Sequence, residues 1–449
     1  MDPSGFDNPH EVLVDANEAA RILGVKVATL YSYASRRWVR SFPSGRHREK
    51  RYLRDDIERL RHRADARLGH EAVAAGALRW GEPVLSSAVT EIRPEGPCYR
   101  GHPAVELART ARFEAVAELL WTGTLPPLAS WRHSRSLPAG IPRGTANPID
   151  ALLAGLSAVR LARHRAREAR GARRIRGNGA VAGGLPSPEP APEELVWTLI
   201  GLVAAACGPS AAQALAAPDV ASGVRRALGA RGRDTRMLDA TLVLCADHEL
   251  NASSFAARVA ASTGADLEAC VLAALATFSG PRHGAESMRV QALVAEAERP
   301  ARARSTLLAR VRRGETLPGF GHRLYPAGDP RGTALLELAY TEGRATPQLA
   351  TLRALVAEAE RLGLGAPTLD VGLLAVAHAL RLPPWSGQVL FCLGRSAGWI
   401  AHAAEQRSSG ELLRPRARYV GPPYQGDASR KRAKGAPATL LGPRAAGAR

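Results

Sequence analysis

The sequence predicts a mainly α-helical protein that carries a small helix-turn-helix module at its N-terminal end. Apolar residues recur at helical spacing through much of the chain. Alternating β-type runs are scarce outside residues 84–92. Residues 14–42 hold a separate two-helix rhythm, followed by a strongly basic stretch. These patterns divide the 449 residues into a module over 1–70, a body over 75–422 and a basic tail over 423–449. The tail is rich in Ala, Gly, Pro and Arg and reads as disordered.

In the module, Asp15 or Asn17 is placed to cap a first helix carrying Ala19, Ala20, Ile22 and Leu23, and Gly24 makes the turn. A second helix follows over 25–34, with Val27, Leu30 and Tyr31 expected to face inward. Ser44-Gly45-Arg46-His47 reads as a tight positive loop, 51–53 as a short strand, and a third helix is expected from Asp55. Residues 26–54 hold nine basic residues and one acidic one, Glu49. Over about 50 residues this resembles the winged helix-turn-helix modules of MerR-type regulators and excisionases. The resemblance implies a second helix in a DNA major groove and wing arginines on phosphates. A packing or dimer-contact unit with a solvated basic face suits the same residues. DNA is thus a candidate partner through residues 15–54.

In the body, Leu267, Val271, Ala274, Leu275 and Phe278 form a helical repeat that Asp266 is placed to cap, and Gly280-Pro281 stops it. A second helix is expected over about 370–380, before Pro383-Pro384. Residues 159–177 carry eight arginines and one glutamate, the pattern of a solvated helix face and loop or of a nucleic-acid arm. Residues 170–195 read as irregular.

Composition narrows the class. The net charge is +19, yet only four of the 61 basic residues are lysines, as a GC-rich coding bias also produces. The distribution of charge therefore says more about partners than its sum. The five cysteines form no CxxC pair and read as small core residues, not as zinc ligands or disulfides. Residues 1–10 are polar with no apolar run behind them, and no stretch reaches the roughly 18 apolar residues of a membrane span. A cytoplasmic protein without membrane partners is expected.

The chemistry concentrates in three histidine-bearing segments: ADHELNAS (246–253), GPRHGAES (280–287) and GFGHRLYPAGDPR (319–331). In the last two, glycine and proline lie beside the histidine, where irregular backbone can aim a side chain at a ligand. His248, His283, His322 and Asp370 are separated by 35, 39 and 48 residues, without a close ligand pair such as HExxH, so a metal is not favoured although distant ligands can converge. Acid–base work at a carbonyl is the other reading. Carbon–carbon bond formation from a thioester methyl needs a base, a donor for the enolate and an acid at the electrophilic carbonyl. Arginine forks suit the carboxylates of the electrophile.

The order of these segments, followed by PTLD (367–370), GRSAGWIAHAAEQ (394–406) and LLRPRARYVG (412–421), strongly resembles the citrate synthase family. The likeness extends back through YRGHPAVELA (99–108) and FEAVAELLWTGTLP (113–126) and covers about 345 residues. It implies a nearly all-α fold in which a small domain closes over a large one, and an obligate homodimer. Among catalytic roles, it implies Asp370 as the base for the acetyl-CoA methyl proton, His283 as the donor to the enolate and His322 as the acid at the oxaloacetate carbonyl. It implies His248, Arg331, Arg395 and Arg414 as binders of oxaloacetate and product, Arg414 reaching over from the partner subunit. No resident cofactor is implied, since the coenzyme A thioester is a substrate. At the start of its helix, Asp370 is expected to stay ionised, or to serve as a plain cap.

Departures from the family pattern are Arg282, Ser287, Cys245 and Pro326-Ala327. Arg282, beside His283, is expected to disfavour an imidazolium there. The activity implied is citrate synthesis from acetyl-CoA, oxaloacetate and water. Two alternatives stand beside it: 2-methylcitrate synthesis from propionyl-CoA, and a CoA or organic-acid sensor serving the N-terminal module.

Overall fold

The structure, a computed structural model, describes residues 13–36, 38–43, 50–54, 56, 57, 60, 85–129, 131, 137, 147–176, 189–232, 235–415, 417, 420 and 421. The expected loop over 44–47, the start of the third helix at Asp55 and the tail over 423–449 lie outside these residues. Residues Met1–Glu411 form one compact unit and Leu412–Arg449 a second.

Helix α1 (Ala16–Leu23) begins at Asp15, whose carboxylate accepts the Glu18 N–H at 2.8 Å, and ends at Gly24, where φ is 66°. Helix α2 spans Val27–Ser35. Strands β1 (Leu13–Val14), β2 (Ser41–Pro43) and β3 (Lys50–Leu53) form an antiparallel sheet in the order β1-β3-β2. Ala19, Ala20, Leu30, Val39, Tyr52 and Ile57 make a small core of their own. Tyr31 is not part of it: it is 54% exposed while Leu30 is fully buried. Adjacent helical residues point about 100° apart, so only one of the two can face the core.

The body opens with a second antiparallel sheet, β4 (Thr90–Arg93), β5 (Gly96–Tyr99) and β6 (His102–Pro103). Helices then follow: α3 (Ala104–Thr110), α4 (Phe113–Thr122), α5 (Pro148–Arg176), α6 (Pro192–Cys207), α7 (Ala211–Leu215) and α8 (Val220–Ala227). After these come α9 (Arg236–Cys245), α10 (Ala252–Ser262), α11 (Leu267–Phe278), α12 (Glu286–Ala297) and α13 (Ala303–Arg312). The last four are α14 (Pro330–Thr341), α15 (Pro347–Arg361), α16 (Leu369–Ala379) and α17 (Ser386–Ser409).

Helix α11 starts as its sequence implies, Asp266 accepting the Ala269 N–H at 2.8 Å. Residues 170–176 are not irregular: α5 continues through them, as their four arginines and Ala172 favour helix and no proline intervenes before Pro186. Part of its arginine face is spent inside the fold, since Arg160 pairs with Asp266 at 2.8 Å and Arg163 with Glu268 at 3.2 Å.

Helix α17 organises the core. Nearly every residue from Ser386 to Ala403 is buried, and it packs against α4, α6, α9, α10, α11, α12 and α16. A helix that is apolar or small on all sides has to be buried in this way. Helix α16 packs in turn against α14, and Gly332 is what allows it: a Cβ there would lie 2.4 Å from the Thr368 carbonyl oxygen. Among the described residues no helix is long and apolar enough to cross a membrane.

Candidate active site

Four helix ends present the polar groups. The turn after α9 carries Asp247 and His248, the turn after α11 carries His283, the loop before α14 carries His322, and the first turn of α16 carries Asp370. The turn after α9 is pinned from beneath. The Tyr99 hydroxyl lies 3.1 Å from the carbonyls of Val243 and Asp247. Fully buried Asp247 accepts the Glu249 N–H at 3.1 Å and pairs with fully buried His402 of α17 at 3.2 Å. Gly398 lets α17 pass this turn, because a Cβ there would lie 2.3 Å from Asp247 Oδ1.

His248 and His322 meet edge to face, with ring centroids 5.7 Å apart. Tyr325 joins them, its ring 5.0 Å from His322 and its hydroxyl 3.0 Å from His248 Nε2. His322 Nδ1 accepts the Leu324 N–H at 3.2 Å, so in the neutral ring the proton is on Nε2, which is left as a donor. Burial first, and then Arg331, holds both histidines below the usual range, His248 furthest. Both are neutral imidazoles at pH 7.

His283 lies in an aromatic box, 5.4 Å from the Phe278 ring and 6.1 Å from that of Phe391. Its Nε2 is 2.8 Å from Ser253 Oγ, which takes the Trp399 N–H at 2.9 Å and also lies 2.8 Å from Asn251 Oδ1. The single serine proton decides the tautomer: donated to His283, it leaves the ring proton on Nδ1; donated to Asn251, it makes Nε2–H the donor. Burial, and next the charge of Arg395, pushes His283 down to about 4. Arg282 is exposed and plays no part in that shift; the cation that acts is Arg395, on the buried side.

Two buried arginines complete the charge pattern. Arg331, 3% exposed, is gripped by Asp329 through Nε at 3.0 Å and Nη2 at 2.7 Å. Arg395, 1% exposed, donates from Nε to the Cys245 carbonyl at 2.8 Å and lies 4.8 Å from the Phe391 ring centroid. Arg414 falls in the second unit, where it is exposed.

Asp370 departs from expectation. It follows the N-cap residue Thr368 by two positions and caps nothing itself. Its Oδ1 is buried and has no hydrogen-bond partner among the described residues. Burial, and then the nearby Glu286, raises its pKa to about 7, so the helix terminus does not keep it fully ionised at neutral pH. Desolvation of a half-buried carboxylate outweighs the partial charge of a helix end.

The structure therefore brings together His248, His283, His322, Asp370, Arg331 and Arg395, linked by ring contacts and mutual electrostatics. Ser253, Tyr325, Asp329, Trp399 and the Asp247–His402 pair were not singled out from sequence. Asp329 and Tyr325 were legible in hindsight, as neighbours of Arg331 and His322 in one short segment. Among the described residues no group of three or more His, Cys, Asp or Glu side chains is arranged to hold a metal. A separate cavity of about 300 Å³ between α3, α9 and α14, lined in part by Arg109, Arg236 and Glu342, includes none of the six converging residues.

This arrangement can bind an anion on two buried guanidinium groups, offer neutral N–H donors to oxygen, and take up a proton on a carboxylate whose Oδ1 has no hydrogen-bond partner among the described residues. The chain is 42% identical over 195 residues to "Putative citrate synthase 2" of Mycobacterium tuberculosis, covering 42% of this chain and 52% of that protein. It is 35% identical over 193 residues to the 2-methylcitrate synthase of Shewanella oneidensis, covering 42% of this chain and 51% of that one. The chain thus spans about half the length of each of these relatives. The crystal structure of citrate synthase from Thermotoga maritima superposes with a TM-score of 0.60 at 25% identity, over 76% of this chain and 94% of that one. The family model described as "Citrate synthase, C-terminal domain" matches residues 77–416, and the chain belongs to the citrate synthase family.

Proposed function

We propose that this protein condenses acetyl-CoA with oxaloacetate and water to give citrate and coenzyme A. The observation that carries the reading is the meeting of three neutral histidines, two buried arginines and a carboxylate with one buried, unpartnered oxygen in one place. Arg331 and Arg395 hold the oxaloacetate carboxylates, with Arg414 supplied by a second copy in a homodimer. His248 binds the same substrate, and His322 Nε2–H polarises its ketone. Asp370 takes a proton from the acetyl methyl group while His283 donates to the thioester oxygen, which requires the ring proton on Nδ1 and the Ser253 hydroxyl donating to Nε2. The methyl carbon then bonds to the ketone carbon, whose oxygen takes the proton from His322. Water cleaves the resulting thioester and releases the thiol. Placing a base and an acid on opposite partners is worth roughly 10²–10⁴-fold for each proton transfer.

The relative from Shewanella oneidensis favours a second reading, propionyl-CoA giving 2-methylcitrate. One methylene in an apolar pocket separates such substrates by only about 10–200-fold. Thiol release with oxaloacetate, measured for acetyl-CoA and propionyl-CoA side by side, tests both. Faster release with acetyl-CoA is the expected result. Release from neither, with both substrates bound, overturns the enzyme reading and leaves the sensor one.

For the N-terminal module we propose DNA binding through α2. Support comes from the α1–Gly24–α2 arrangement, from exposed Tyr31 and Trp38, and from Arg36 over the Trp38 ring at 5.6 Å. Deleting residues 1–70 is expected to abolish salt-dependent retention on DNA. Unchanged retention moves the effect to the body or the tail.

A further inference from the structure

Glu286 stands at the first turn of α12, three residues after His283. It is about a quarter exposed, yet its carboxylate makes a specific bond inward: Oε1 accepts the Gly319 N–H at 3.0 Å. Gly319 opens the loop that carries His322, and its own carbonyl accepts the Thr368 N–H at 2.9 Å. Thr368 is the N-cap of α16 and lies two residues before Asp370. A continuous relay thus runs from Glu286 through the Gly319 peptide to the helix end that presents Asp370. The loop is wedged at this point. Gly319 has φ 80°, and a Cβ there would lie 2.5 Å from Val290 of α12 and 2.7 Å from Val371 of α16.

We propose that Glu286 is a positioning residue for Asp370: its carboxylate clamps the 319–322 loop onto the start of α16 and supplies a fixed negative charge beside the carboxyl group that takes the proton. This rests on the reading of Asp370 as the base. Other charges also face Asp370. Arg331 and Asp329 act on it from the start of α14, Arg331 favouring ionisation and Asp329 opposing it, and the Cys245 thiol at the end of α9 is close enough to feel it. Burial is the largest influence and Glu286 the next, both favouring the protonated form. Arg289 holds the outer oxygen of Glu286 at 2.7 Å and so keeps the carboxylate in place. The effect is a base that is ionised for only part of the time near neutrality, and is correspondingly stronger when it is ionised.

Glu286→Gln separates clamp from charge, because the amide oxygen still accepts the Gly319 N–H. The full-length protein is titrated by infrared difference spectroscopy, following the carboxyl band that Asp370→Asn removes. The expected result is a midpoint lower in Glu286→Gln by about half a pH unit or more, and the same displacement in the pH profile of kcat/KM for the acyl-CoA. Glu286→Ala, which also loses the clamp, is expected to show that shift together with a kcat about tenfold lower. A midpoint that does not move in Glu286→Gln overturns the proposal. The two readings fail separately: a shifted band without thiol release removes the condensation but keeps the coupling, and thiol release with an unmoved band and profile does the reverse.

Discussion

At the residue scale, protonation states decide what the site does. His283, pushed down to about 4, and His322, lowered by burial, are neutral donors throughout the physiological range. Within the site, Asp370, raised to about 7, titrates there. A base works only when ionised, so kcat/KM for the acyl-CoA is expected to rise with pH through about 7 and then level. A profile flat from pH 5 to 8 contradicts this assignment. That these residues come together was legible in the sequence, because motif order names them as a set. Their charge states were not, since burial and spatial neighbours set a pKa. The sequence pointed to Arg282 because it adjoins His283, whereas the guanidinium that acts on that ring comes from Arg395, 112 positions later.

At the scale of elements, close passage of helices fixes the turns that carry the histidines. Gly398 of α17 touches the turn holding Asp247 and His248, with 2.3 Å available for a Cβ beside Asp247 Oδ1. Gly398→Ala is expected to destabilise the fold by about 1–3 kcal/mol and to weaken oxaloacetate binding. Thermal unfolding and ligand titration check both, and wild-type values in both contradict a structural role for this close passage. A second device lies away from the site. Asp239 of α9 accepts the Phe113 N–H at the start of α4 at 2.8 Å, and Glu114 accepts the Val220 N–H at the start of α8 at 2.6 Å. Burial raises Asp239 to about 7, above its unfolded value near 4. Its contribution is therefore present below about pH 4 and is lost as pH rises through about 7. Asp239→Asn is expected to remove that part of the decline, measured as the difference in denaturation midpoint from wild type between pH 4 and 8. A constant difference across this range contradicts it. Helix periodicity and capping residues were enough to read α1, α11 and α16 to within a residue or two. The arginine-rich end of α5 is not legible as helix in the sequence, because a polar helix face carries no apolar repeat to count.

At the scale of the whole molecule, the proposed dimer makes Arg414 and Asp370 of one site belong to different chains. Mixing Asp370→Ala chains with Arg414→Ala chains then regenerates one intact site in each heterodimer. Activity of about a quarter of wild type is expected from a random mixture of two inactive parents. A mixture as inactive as its parents contradicts a shared site. Family order across some 345 residues makes the body's architecture legible in the sequence. The proposed reaction is a condensation at the converged residues with Asp370 as base. Its most direct measurement is oxaloacetate-dependent thiol release from acetyl-CoA, with the product identified by mass, for wild type and Asp370→Ala. Citrate from the wild type is expected, with a turnover about 10²–10⁴-fold lower in the variant and substrate binding retained. Equal turnover in the two proteins, or no citrate from either, contradicts it.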